Sequence, residues 1–179
     1  MRLFAHIAAA ALIVATPVAA QATDLLSVPT SGNDAVPVAD SGFDWNGFYA
    51  GVFGAGQLSP LDGGQLGLGI DAGANARLEF VLLGAEVSVR GLGGGAGVDA
   101  YAEGVGKAGL AVTDNAIVYA AGGLGTSLTG PTQADALLGG GVELALTDAV
   151  SVDARYLHGF PLTGANPKDQ VTIGANFHF

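Results

Sequence analysis

Residues 64–75 read GQLGLGIDAGAN, and the alternation in them never slips. Leu66, Leu68, Ile70, Ala72 and Ala74 fall on one face; Gln65, Gly67, Gly69, Asp71, Gly73 and Asn75 fall on the other. A period of two held for this long describes an extended strand and excludes a helix. Its length constrains the fold further. Strands in soluble domains average about 5–6 residues, whereas a tilted strand crossing a bilayer needs about 9–11.

The pattern recurs along the chain. Ala100, Ala102, Gly104, Gly106, Ala108 and Leu110 oppose Asp99, Tyr101, Glu103, Val105 and Lys107. Leu83, Ala85, Val87 and Val89 oppose Gly84, Glu86, Ser88 and Arg90. At the C-terminus Val171, Ile173, Ala175, Phe177 and Phe179 oppose Gln170, Thr172, Gly174, Asn176 and His178. Eight segments of this kind lie near 45–58, 64–75, 79–91, 97–112, 116–128, 134–146, 150–159 and 169–179. The fifth leaves its register open, because both of its faces are mostly apolar.

Three connections read as tight turns: NAR at 75–77, TDN at 113–115 and TDA at 147–149. Asp and Asn suit such turns because their side chains bond nearby backbone. The other four, SPLDG, GLGGGAG, TGPTQ and GFPLTGANPKD, read as longer loops. An even number of long strands, with short turns at one end and longer loops at the other, predicts an all-β fold: an eight-stranded antiparallel up-and-down transmembrane β-barrel. Both termini then lie on the short-turn, periplasmic side. Lipid offers the backbone no hydrogen-bond partner, so such a sheet must close on itself.

Composition agrees. Half of the residues are hydrophobic and 12% are charged. Beyond the N-terminus no run approaches the roughly 18 apolar residues of a membrane helix. The 30 glycines each cost a helix close to about 1 kcal/mol relative to Ala. Cysteine is absent, so disulfides do not hold the fold.

The first residues, MRLFAHIAAAALIVATPVAA, have the order of a secretory signal: an early cation at Arg2, an apolar run through Val14 and small residues near Ala20. The run is too short for an anchor, and cleavage is expected after Ala20, with Ala22 as the alternative. Residues 21–42 contain two prolines and no periodicity and read as a flexible periplasmic linker; the barrel is expected over 43–179. Loss of Arg2 leaves five Lys and Arg against 16 Asp and Glu. Without a basic face, a nucleic-acid partner is not expected.

The opening strand, WNGFYAGVFGAG, carries bulky apolar groups on both faces with Gly and Ala between them. A lipid-facing strand over a crowded lumen accommodates that pattern, since an eight-stranded barrel is only just wide enough for side chains. Trp45, Phe48, Phe80 and Phe177 at one end, with Tyr101 and Phe160 toward the other, are expected to form two interfacial aromatic girdles. WNGFYAGVFGAG resembles the W-T/N-G-F-Y-x-G-x-x-x-G opening of small alphaproteobacterial outer-membrane surface antigens, which are related to the outer-membrane protein A barrel and the opacity proteins. IVYAAGGLG, GGGVELALTDAVSVDARYLH and the terminal GANFHF resemble later strands of that porin-like group, so the likeness spans about 43–179. It implies an outer-membrane barrel whose terminal aromatic, here Phe179, is recognised by the barrel-assembly machinery during insertion. The sequence departs from the group in its short outward loops, and in DARYLH where a Glu-Tyr pair is common.

Strand parity turns Asp71, Glu86, Arg90, Asp99, Glu103, Lys107, Glu143, Asp153 and Arg155 into the lumen. Buried charges must pair or change protonation state. Aligning Arg90 with Glu103 on the neighbouring strand also aligns Glu86 with Lys107, and that register is the one expected. The resulting salt-bridged plug is set against an acidic, cation-preferring pore. His158 and His178 read as rim residues, and YLHGFPL lacks the serine of a hydrolytic His-Ser pair. No phosphate loop, cofactor motif or metal-ligand cluster stands out. The expectation is a non-catalytic barrel serving envelope structure and surface exposure, with outer-membrane lipid around it. A small cation or water channel is the second reading, and a lipid-modifying enzyme the third.

Overall fold

A computed structural model describes residues 42–94, 97–130 and 133–179. The expected signal peptide and, except for Gly42, the linker lie outside the described residues. All regular structure among the described residues is strand: β1 (Gly47–Ser59), β2 (Gly63–Leu78), β3 (Val81–Gly94), β4 (Gly97–Thr113), β5 (Ala116–Ser127), β6 (Ala134–Ala145), β7 (Val150–Pro161) and β8 (Lys168–His178). Each pairs antiparallel with its sequence neighbour, and β1 pairs with β8 from Tyr49↔His178 to Leu58↔Asp169. The sheet is therefore a closed barrel. Closure leaves no row of unpaired backbone groups, the one arrangement a strand sheet can adopt within hydrocarbon.

The alternation in the sequence becomes the inside and outside of this cylinder. Leu66, Leu68 and Ile70 project outward and are 76%, 76% and 64% exposed, while Gln65 and Asn75 of the same strand are buried in the lumen. Phe48, Val87, Leu124, Leu138, Ile173 and Phe177 extend the exposed apolar surface around the barrel. Water would not wet a continuous surface of this kind without penalty, and exposed apolar patches this extensive mark contact with a partner or a membrane. In β5 the open register resolves: Ile117, Tyr119 and Ala121 point inward and Val118 outward.

Glycines fit this inside–outside geometry. A Cβ at lumen-facing Gly139 would stand 2.0 Å from the Tyr156 carbonyl oxygen, and one at Gly123 would stand 2.0 Å from that of Gly104. Outward-facing Gly54 has only the Ile173 carbonyl, at 3.9 Å.

Two connections differ from expectation. The NAR turn at 75–77 lies inside β2, which continues to Leu78. Asn75 is a buried lumen residue paired with Gly47 and Gly84 rather than a turn former. The turn itself is Glu79–Phe80, with Glu79 at φ 57° and Arg77 Nε donating to its carbonyl at 2.7 Å. GLGGGAG is not a long loop either. Its glycines extend both strands until Gly94 pairs with Gly97. The contrast between short turns and longer loops thus rests on the connections after β5 and β7.

Both ends of the described chain, Gly42 and Phe179, lie at the end of the barrel that holds the Glu79–Phe80 and Asp114–Asn115 turns. Before β1, residues 43–46 fold beneath the barrel. Asn46 donates to Asp44 Oδ1 through its backbone and its side chain, at 3.0 Å each. Those bonds, the backbone one first, hold the Asp44 carboxyl below its usual range. Asn46 Oδ1 accepts from the Arg77 N–H at 2.7 Å, tying this segment to β2.

Candidate functional site

The lumen holds the chain's concentrated chemistry, arranged in layers. At the turn end Trp45 closes the cylinder. Its ring lies 4.5 Å from Phe43 and 5.9 Å from His178, and its Nε1 donates to the Asp114 carbonyl at 3.2 Å. His178 stacks on Tyr49 at 5.3 Å. Trp45 is fully buried and Tyr101 is 1% exposed, so neither belongs to an aromatic girdle. Parity decides both cases: Tyr101 shares the inward phase of Glu103, and the segment carrying Trp45 turns under the barrel before β1 begins. Outward aromatics gather at the turn end, where Phe48, Phe80, Phe177 and Phe179 are exposed, whereas Phe160 and Tyr156 stand toward the other rim.

Above the aromatic cap, Ser151, Glu143, His178 and Asn176 meet. Ser151 Oγ donates to Glu143 Oε1 at 2.5 Å and lies 3.0 Å from His178 Nε2. The same Glu143 oxygen lies 3.3 Å from His178 Nε2 and accepts from Asn176 Nδ2 at 3.3 Å. The residue types are those of a hydrolase, but the arrangement is not. Nucleophile and acid share one ring nitrogen, whereas a relay needs the carboxylate on the other nitrogen to orient the imidazole. Ser151 is also completely buried.

The central layer is an ion-pair network. Glu86 accepts from Lys107 at 3.1 Å, from Arg155 at 2.5 Å and from the Tyr49 hydroxyl at 2.7 Å. Glu103 binds Arg90 at 2.7 Å and Arg155 at 3.2 Å. Arg155 therefore bridges the two carboxylates, and all five charged groups are buried. Lys107 Nζ also donates to the Tyr49 hydroxyl at 2.5 Å. The pairs Arg90–Glu103 and Glu86–Lys107 are those expected, but the register is not. Arg90 stands opposite Tyr101 and Glu86 opposite Val105. Each long side chain reaches its partner diagonally, two residues along, and the Arg90 guanidinium lies 4.4 Å over the Tyr101 ring.

Toward the loop end, Lys168 binds Asp135 at 2.9 Å, and Asp135 also accepts from the Tyr101 hydroxyl at 2.8 Å. Both charges are buried, and the sequence reading missed both. Asp135 shares the phase of Glu143, and Lys168 that of Gln170; Lys168 falls within GFPLTGANPKD, a loop that proves shorter because β8 begins at Lys168. Asp99 is at the mouth, bonded to Ser127 and Thr129 hydroxyls. Asn166 binds Asp62 at 2.7 Å and the Leu61 N–H at 3.2 Å, joining loops across a polar cup of about 450 Å³. Asp71 and Asp153 face the lumen but form no ion pair among the described residues. Among the described residues, no group of three or more His, Cys, Asp or Glu gathers as a metal centre.

Comparison with known proteins adds the fold and stops there. No protein-family model matches the sequence, and no curated protein matches it. Among solved structures, the chain is similar to Ail, the attachment invasion locus protein of Yersinia pestis, with TM-score 0.58 and 12% identity over 75% of this chain and 99% of that one. It is also similar to Neisserial surface protein A, with TM-score 0.53 and 16% identity over 74% and 97%. The fold is that of the small outer-membrane barrels. At these identities the likeness concerns backbone architecture alone.

Proposed function

We propose that this chain is a non-catalytic outer-membrane barrel, with both termini in the periplasm, whose lumen is sealed against ions. Its role is in envelope structure and surface exposure. The observation that carries the reading is the five-membered network of Glu86, Lys107, Arg155, Glu103 and Arg90, spanning a lumen too narrow for a pore. The apolar exterior supports placement in lipid, and the aromatic cluster at the turn end suits an interface. Phe179, exposed beside Phe177 with its N–H bonded to the Phe48 carbonyl at 3.0 Å, is the residue offered to the barrel-assembly machinery. The short connections project little, which favours a structural role over an adhesive one.

A second reading, a small cation channel, draws on Asp71 and Asp153, which leave the lumen acidic. Planar-bilayer recording separates the two. The refolded barrel is expected to give no discrete openings in potassium chloride. Cation-selective steps abolished by Glu103→Gln together with Glu143→Gln would replace the sealed-barrel reading with the channel.

A further inference from the structure

Asp71 on β2 and Asp153 on β7 both face the lumen, with β1 and β8 between their strands. Register sets Asp153 opposite Gly174, and Gly51 opposite both Asp71 and Asn176. A Cβ at Gly174 would fall 2.7 Å from Asp153 Oδ1. One at Gly51 would fall 2.7 Å from Asp71 Oδ1 and 2.0 Å from Asn176 Oδ1. Both carboxylates thus lean over bare glycine backbone toward the strand that carries Asn176.

Asn176 is 3% exposed, and its Oδ1 has no hydrogen-bond partner; neither has Asp71 Oδ1. The amide orientation is not free. Nδ2 donates to Glu143, and reversing the amide would set its oxygen against that carboxylate. An acceptor is therefore held facing acceptors. Of the charges nearby, Lys107 and the two terminal nitrogens of Arg155 are taken up by Glu86 and Glu103, while Arg155 Nε has no partner. Asp71 and Asp153 also keep partial exposure where the paired charges are buried.

We propose that Asp71, Asp153 and the Asn176 side-chain oxygen form a cation site in the lumen that takes one calcium ion. Every donor is a hard oxygen, and the two carboxylates balance a double charge. Calcium accepts an irregular set of carboxylate, amide and water ligands, where magnesium demands a near-ideal octahedron. Without nitrogen or sulfur donors, zinc and copper are poor fits. The site requires the fold but not the sealed lumen, so a conducting barrel would leave it intact.

Equilibrium dialysis of the refolded barrel against radioactive calcium chloride, in zwitterionic detergent with excess sodium chloride, tests it. One saturable calcium per barrel is expected, with magnesium a weak competitor. Asp71→Asn and Asp153→Asn should each weaken binding about tenfold or more, while Asp148→Asn in a turn should leave it unchanged. Neither lumen variant orphans a partner, so both are expected to refold. As a second readout, calcium relative to chelator should raise the urea midpoint of the parent and not of the double variant. Absence of saturable binding by the parent, or binding that survives the double variant, overturns the site.

Discussion

Glu86 and Asp71 are both lumen carboxylates, yet removing their charges should have opposite effects. Glu86→Ala leaves Lys107 without its carboxylate and takes one of two from Arg155. Orphaning a buried charge in this way costs about 3–5 kcal/mol. Asp71→Asn removes a charge with no partner, and in chelator it should leave stability unchanged or raise it. Urea unfolding of the barrel in lipid vesicles, followed by band shift, reads both. Equal losses would mean that pairing does not set the energetics of the lumen. Glycines give a second contrast. Gly139→Ala meets the Tyr156 carbonyl, which cannot yield within the sheet, whereas Gly54→Ala points into open space. The first should cost about 1–3 kcal/mol, and the second should be close to neutral in the same assay. Parity alone made the inward set legible. It could not reveal that Asp71 and Asp153 stay unpaired, because that depends on which strands face each other across the lumen.

Among elements, the third hairpin shows what charge pattern can and cannot fix. Ion-pair partners were readable, but the register derived from direct opposition was displaced by two residues, because Arg and Lys reach diagonally along a tilted strand. Cysteine pairs decide between the two alignments in a chain that contains no native cysteine. Val89→Cys with Ala102→Cys, partners in the observed register, should oxidise to an intrachain disulfide in the folded barrel. Val89→Cys with Gly104→Cys, partners in the charge-derived register, should keep free thiols, since a disulfide needs Cα atoms within about 7 Å. Thiol counting by mass spectrometry would contradict the structure if the pattern were reversed. Strand boundaries were legible to within a few residues because the alternation is long. The NAR and GLGGGAG connections were not, because Asn and Gly serve this barrel as lumen and strand residues as well as turn formers. Trp45 was misread for a similar reason: it lies at the interfacial end of the barrel but folds inward over the lumen.

At the scale of the molecule, a closed cylinder presents apolar residues outward and stores its charges within, inverting the usual arrangement of a soluble protein. That inversion was visible in the sequence as long strands with few charges and many glycines. It has one direct test. Chain unfolded in urea is diluted into phospholipid vesicles and, separately, into buffer without amphiphile, and each sample is followed by circular dichroism and by gel migration with and without boiling. The account predicts β-sheet signal and a heat-modifiable band with vesicles, and aggregated or unfolded chain without them. A dissolved, monodisperse monomer with the same sheet content in amphiphile-free buffer would contradict it.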